Sequence, residues 1–337
     1  MSEFRDLHEA TASVRERLAP PDAAVAPLPP RAIFVVGMPR SGTTLLTRLL
    51  DGHPQLFVMR HETHASRCVG AADPAAALLA GSAYGRRGPQ LAEDRAFFEA
   101  LLRARLAAGP ADLATLLAGI AGTEFAWRGA PQGCEAWVEK TPNHVRHVPE
   151  LLAAFGPGTR CIGMVRDPRA VAASRRERFH RTSRSHARHT ARRWATVDAL
   201  TREYLARDRR FLCVTYESLV SDVETVMRRV AQHLHLRWDD ALLRPTHAGS
   251  AWDGNSSFGG AGRGVNTDSI ARWRDELSLR EVAQCEASLL PRMLAWGYQP
   301  ATAVRRGPRL ERALVELAAA WHVRRLRRTW PRIAAAP

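Results

Sequence analysis

The chain has 337 residues, of which 45% are hydrophobic and 25% charged; this is globular usage and excludes a wholly disordered protein. Lys and Arg outnumber Asp and Glu by 49 to 34, a formal net charge of +15, which points to an anionic ligand or surface without naming one. Only Lys140 among those 49 cations is lysine and alanine is also abundant, so the arginine excess reads partly as coding bias and gives charge alone little weight as a sign of nucleic-acid binding.

Residues 19–30 are a proline-rich lead-in, and the residues before them read as a loosely attached helix. Arg31 to Gly37 is a short apolar run ending in glycine, as in a buried parallel strand. Thr43 to Asp51 reads as a helix closed by Gly52-His53-Pro54, and Leu56 to Met59 as a second strand. Residues 73–127 are rich in Ala and Leu at helical spacing and read as a helical insertion, a candidate wall of an acceptor site. Strands are further expected over 136–140, 160–165 and 211–215, with helices over 144–154, 168–207 and 218–235. This alternation predicts an α/β fold with a central parallel sheet of about five strands flanked by helices. The expected organisation is a lead-in over 1–30, a main domain over 31–300 and a basic helical tail over 301–337. From 303 that tail carries nine Arg against two Glu, as a solvated basic helix would.

No apolar run approaches the roughly 18 residues of a membrane span. Met1 to Asp6 shows no basic-then-apolar leader pattern. The cysteines, 68, 134, 161, 213 and 285, are odd in number, widely spaced and without a C-x-x-C pair. Reduced thiols in a cytoplasmic protein, with neither a disulfide framework nor a metal site, are the expectation.

Two motifs carry the chemistry. Gly37-Met-Pro-Arg40-Ser41-Gly42-Thr43-Thr44 joins the first strand to its helix, and backbone N–H groups at such a turn cradle an anion. The outline is that of a P-loop, with Thr43 in the position of the lysine that kinases and ATPases use on β/γ-phosphates. Arg166-Asp-Pro168, after the fourth strand, opens a helix that carries Ser174 two turns on. An arginine and a hydroxyl together suit a terminal phosphate.

The first motif resembles the 5′-phosphosulfate loop, and the second the 3′-phosphate motif, of the sulfotransferases that use 3′-phosphoadenylyl sulfate (PAPS). The pattern is most similar to bacterial and tyrosylprotein-type members, over roughly residues 31–298. The resemblance implies a P-loop-like fold and sulfuryl transfer from PAPS to a hydroxyl or amine with release of 3′,5′-adenosine bisphosphate (PAP), and no metal requirement. The acceptor would be a small molecule, glycan or peptide, not a nucleic acid. It implies cofactor contacts from Arg40, Ser41, Gly42, Thr43, Thr44, Arg166 and Ser174. Tyr216, in a strand end similar to the family's Tyr-Glu-x-Leu, would border the adenine or else be a core tyrosine. Ser257 and Arg272 resemble the C-terminal nucleotide contacts. The family's R-K-G-x-x-G block is absent; only Arg263-Gly264 is suggestive.

At the chemistry, Arg60-His61-Glu62-Thr63-His64 resembles the family's catalytic Glu-Thr segment. Glu62 is the first choice of base, with His61 and His64 as rivals. Lys140, at the end of the third strand, is the expected leaving-group cation beside Arg40. The stretch 175–193 holds eight Arg and three His but one aromatic, Phe179, so a solvated helix that draws in anions is preferred to a nucleic-acid patch. A P-loop kinase and a non-catalytic PAP- or nucleic-acid-binding protein remain the alternatives. Oligomeric state is not readable.

Overall fold

The computed structural model describes residues 27–81, 84, 92–106, 109–179, 184–252, 254, 265–302 and 309–330. Five strands, β1 (Arg31–Gly37), β2 (Leu56–Val58), β3 (Ala136–Lys140), β4 (Arg160–Val165) and β5 (Phe211–Thr215), form one sheet in the order β2-β3-β1-β4-β5. The pairings run parallel, from Leu56 opposite Ala136 to Val58 opposite Val138, and from Cys161 opposite Phe211 to Val165 opposite Thr215. β1 is buried from Ala32 to Gly37, as an apolar run covered on both faces requires. This is the expected α/β fold with a central parallel sheet and flanking helices.

The chain forms two compact units. The first comprises 1–34, 53–141 and 154–159; the second comprises 35–52, 142–153 and 160–337. In the first unit, α2 (Pro74–Gly81), α3 (Ala92–Arg105) and α4 (Leu113–Trp127) occupy the stretch read as a helical insertion. Asp112 caps α4 by accepting from the Thr115 amide at 2.8 Å. Aromatic rings fill the interior: Phe34 meets Trp137 edge-on at 5.6 Å, and Phe57 meets Phe125 at 4.9 Å.

The second unit holds α1 (Thr43–Leu50), α5 (Val148–Ala154), α6 (Pro168–Phe179), α7 (Arg184–Arg207), α8 (Tyr216–Ser221) and α9 (Val223–Leu234). It continues through α10 (Asp268–Ala271), α11 (Trp273–Glu276), α12 (Leu279–Leu294) and α13 (Arg309–Thr329). Two expected helices are subdivided for local reasons. A 3-10 turn over Pro142–Arg146 precedes α5, and Pro149 fits the first turn of α5 because its missing N–H would be unpaired there anyway. Pro168 opens α6 in the same way. The stretch expected from 218 is two helices, because Thr215 caps α8 and Asp222 caps α9, accepting from Thr225 N at 3.0 Å. The expected N-terminal helix lies outside the described residues.

The basic tail is helical as expected, but α13 is not wholly solvated. Val315, Ala319 and Leu326 are buried, and Arg327 grips the Glu203 carboxylate of α7 with bonds of 2.7 and 2.8 Å. No helix among the described residues is long and apolar enough to cross a membrane. The five cysteines are free thiols, and all but Cys134 are buried.

One buried ion cluster ties the C-terminal segment to the start of α6. Arg169 is 3% exposed and Glu286 fully buried. Arg169 bonds Asp167 at 2.7 Å, Glu286 at 2.6 Å and the Gln299 carbonyl at 2.9 Å, and it lies 4.1 Å over the Trp273 ring. Glu286 also accepts from Ala301 N and from Thr302 N and Oγ1. Burial disfavours the Glu286 charge, but Thr302, Ala301 and Arg169 override it and hold the carboxyl below its ordinary value. Glu286→Ala therefore strips a buried guanidinium and two backbone amides of their acceptor. It is expected to destabilise the protein by about 3–5 kcal/mol, read as a fall in the urea midpoint at unchanged slope.

Candidate functional site

In the second unit, the turn after β1 is shaped by glycines that no other residue could replace. A Cβ on Gly37 would lie 2.5 Å from the Met164 carbonyl of β4. One on Gly42, at φ +98°, would strike the Tyr216 ring at 2.5 Å. Arg40 also takes a left-handed conformation, at φ 78°, and Ser41 N closes the turn on the Met38 carbonyl at 3.0 Å. α1 begins at Thr43, and its N-cap, Gly42, supplies no side-chain cap. A helix start without a side-chain cap is a place where backbone amides can meet an anion. Thr43 is buried and Thr44 half-buried.

Arg40, Ser174 and Arg166 converge on this turn. Arg40 Nε donates to Ser174 Oγ at 2.9 Å, so α6 does bring its serine back to the loop. Arg166 donates to the Arg40 carbonyl at 3.3 Å and the Ser269 carbonyl at 2.7 Å. Its guanidinium lies 4.1 Å over the Tyr216 ring, and its carbonyl accepts from Trp194 Nε1 at 2.9 Å. Burial lowers the Arg166 pKa from its ordinary value, while Tyr216, Glu217 and Asp167 pull the other way. Ser41 is fully buried. Among the described residues, neither Ser41 Oγ nor Arg166 Nε has a hydrogen-bond partner. A buried hydroxyl and a desolvated guanidinium with spare donors, beside an uncapped helix start, fit a phosphate-bearing ligand.

Two residues that the sequence reading did not single out support this cluster. Glu217 is half-buried, accepting from the Asp167 amide (3.0 Å) and the Tyr298 hydroxyl (2.8 Å), and desolvation raises its pKa. Tyr298 was recognisable only as part of Trp296-Gly297-Tyr298. Arg272 is half-buried at the junction of α10 and α11, three residues after the Ser269 carbonyl that meets Arg166. Ser257 and the Arg263-Gly264 pair lie outside the described residues.

The first unit carries the other predicted group. Glu62 is bridged by Lys140 Nζ at 2.5 Å and by His64 Nε2 at 3.3 Å. Glu62 is 30% exposed and Lys140 12%. His61 packs edge-on against Tyr84 at 5.2 Å; the Tyr84 hydroxyl is hydrogen-bonded to the buried Glu124. Beneath Glu62, Thr63 is fully buried and bonded to Glu139 and Thr141. Neither of those partners had been singled out; their only signal was adjacency to Lys140 in Glu139-Lys140-Thr141. A carboxylate held between an ammonium and an imidazole can accept a proton while the cation meets developing negative charge.

The sequence matches the model of the sulfotransferase family over residues 30–240. Protein-tyrosine sulfotransferase 1 of Danio rerio is 28% identical over 280 residues, covering 80% of this chain and 72% of that protein. Among solved structures, the sulfotransferase domain of the Synechococcus PCC 7002 olefin synthase is 19% identical with a TM-score of 0.48, over 90% of this chain and 97% of that one. A mouse sulfotransferase complexed with PAP is 12% identical with a TM-score of 0.42, over 86% of this chain and 90% of the other. With the glycine turn after β1, the arginine–serine pair and the carboxylate–lysine pair all inside the matched span, the chain belongs to the sulfotransferase family.

Proposed function

We propose that the protein transfers the sulfuryl group of PAPS to a hydroxyl or amine of its acceptor, releasing PAP. The observation that carries the donor is the turn after β1, where Thr43 stands in the lysine position and Ser41, Arg40 and Arg166 supply the donors instead. A nucleoside triphosphate kinase needs the lysine for β/γ-phosphates and a hydroxyl for Mg²⁺. Hydroxyls, amides and arginines suit a phosphosulfate and a lone phosphate.

The residues divide the work. Ser41, Gly42, Thr43 and Thr44 would hold the 5′-phosphate side with backbone amides and hydroxyls. Arg166 and Ser174 would hold the 3′-phosphate, with Tyr216 against the adenine and Arg272 as a further contact. PAPS supplies an activated S–O bond. In the transfer, the acceptor oxygen bonds to sulfur, the bond from sulfur to the 5′-phosphate oxygen breaks, and Glu62 takes the acceptor's proton. Lys140 and Arg40 meet the charge left on the phosphate oxygen. His61 and His64 are the rival bases. The zebrafish relative is named for protein tyrosine, so a tyrosine peptide is the first acceptor to test, followed by small-molecule phenols and glycans. A cytoplasmic location accords with this donor.

The cofactor class is read by calorimetry. PAP without Mg²⁺ is expected to bind in the micromolar range and ATP with Mg²⁺ far more weakly. A preference for Mg-ATP would instead favour the kinase, and no PAP binding would remove the donor assignment. Arg40→Ala and Arg166→Ala are each expected to weaken PAP by about 10- to 100-fold, the loss of one or two charge-assisted hydrogen bonds.

The base is read by turnover. Glu62→Gln is expected to leave PAP affinity unchanged and to lower kcat by about 10²- to 10⁴-fold. Undiminished turnover would move the role to His61 or His64.

A further inference from the structure

Two rungs join the same two segments in the first unit. The outer one is Glu62 to Lys140, at 2.5 Å. The inner one joins their neighbours: Thr63 Oγ1 donates to Glu139 Oε1 at 2.9 Å, and Thr141 Oγ1 donates to the same oxygen at 2.5 Å. Thr63, Glu139 and Thr141 are each fully buried. Strand alternation sends Glu139 and Lys140 to opposite faces of β3, so a single short strand end anchors both rungs.

The direction of the protons matters. A hydroxyl has one proton to give and two lone pairs. Because Thr63 and Thr141 both spend their proton on Glu139, their oxygens are left as acceptors. Thr141 Oγ1 then accepts from Thr63 N at 3.1 Å and His64 N at 3.4 Å. Thr63 Oγ1 accepts from Ala65 N at 3.4 Å. Three successive amides immediately after Glu62 thus find acceptors in this cluster. His64 stands there at φ 51°, in the left-handed region that few non-glycine residues occupy, though histidine does so more readily than most. The other end of the segment is held as well, since Arg60 N donates to the buried Glu124 at 3.0 Å.

We infer that Glu139 is a positioning residue for sulfuryl transfer: by orienting the Thr63 and Thr141 hydroxyls, it sets the spacing of Glu62 and Lys140. The inference rests on the reading of Glu62 as base. Glu139 itself touches neither substrate nor Glu62. Its effect is confined to where the carboxylate and ammonium stand, and an error of about 1 Å there is enough to cost on the order of 10²-fold in rate.

The test compares wild type, Glu139→Gln, Thr141→Val, Thr141→Ser and Glu62→Gln. Each is measured for kcat with PAPS and an acceptor, for PAP affinity by calorimetry, and for amide hydrogen exchange at Thr63, His64 and Ala65. Thr141→Val preserves shape and removes the hydroxyl; Glu139→Gln keeps Oε1 but adds two donors. Both are expected to lower kcat by about 10- to 100-fold, to speed exchange at the three amides, and to leave PAP affinity at the wild-type value. Thr141→Ser, which restores the hydroxyl, is expected to recover most of the rate and the protection. A purely structural role would lower kcat and PAP binding capacity together, and that result overturns the inference. So does a Thr141→Val enzyme that turns over normally while Glu62→Gln is inactive, which leaves the base assignment standing. Normal turnover by Glu62→Gln strikes the reading of the base itself, and is recognised because exchange at the three amides stays slow.

Discussion

A guanidinium taken out of water must be repaid by its surroundings, and Arg166 sets that demand at the carboxyl end of β4. Arg166 is 8% exposed, and burial works against its charge. The repayment in the free protein is partial: two carbonyls, the face of Tyr216, and the nearby Glu217 and Asp167. Among the described residues, no carboxylate oxygen forms an ion pair with it. An arginine arranged this way stays charged while keeping a donor for an incoming anion. Direct pairing with Asp167, its neighbour in the chain, is forestalled because Asp167 is engaged by Arg169 at 2.7 Å. Glu217, which could also have quenched Arg166, is occupied by the Asp167 amide and the Tyr298 hydroxyl.

The same logic runs through the acidic residues. Glu124, Glu139 and Glu286 are fully buried, and Asp167 and Asp198 nearly so. Each meets hydroxyls, amides or arginines inside the protein. Their charges still count in the net +15, which is the field that a distant ligand meets. That field favours encounter with an anionic nucleotide without any specific contact.

What could be read from the chain alone was whatever is written locally. The five strands are apolar runs bounded by turn residues. The phosphate turn declares itself by glycines and hydroxyls within eight positions, and Arg166 with Ser174 by one helical spacing. Glu62 and Lys140 were legible as chemistry but not as a pair, for 78 positions separate them. The supports were hidden for the same reason. Thr63 and Glu139 are 76 positions apart, Glu217 and Tyr298 81, Arg169 and Glu286 117. Pairs of that separation are created by how strands and helices distant in the chain come together, and no local periodicity records it. The helix break at Asp222 and the helix start before Pro149 were legible in principle, as a cap and a missing N–H. They were passed over because the apolar periodicity continues across them.

Lys140 brings these strands of argument together. In a chain that otherwise writes every cation as arginine, an ammonium stands against Glu62. A guanidinium would form a planar fork on that carboxylate, locking both oxygens in a bidentate pair. An ammonium makes a point contact with one oxygen and leaves the other to His64. It can also swing on its flexible stem toward a second anion with little geometric penalty. The roles proposed for Glu62 as base and Lys140 as leaving-group cation would draw on that freedom. It also needs a rigid floor, since a flexible stem is useful only when its root is fixed. The buried Thr63–Glu139–Thr141 rung supplies that floor one residue away on each segment. The buried inner rung and the part-exposed outer one rise from the same two segments, so whatever fixes the first also sets the root of the second.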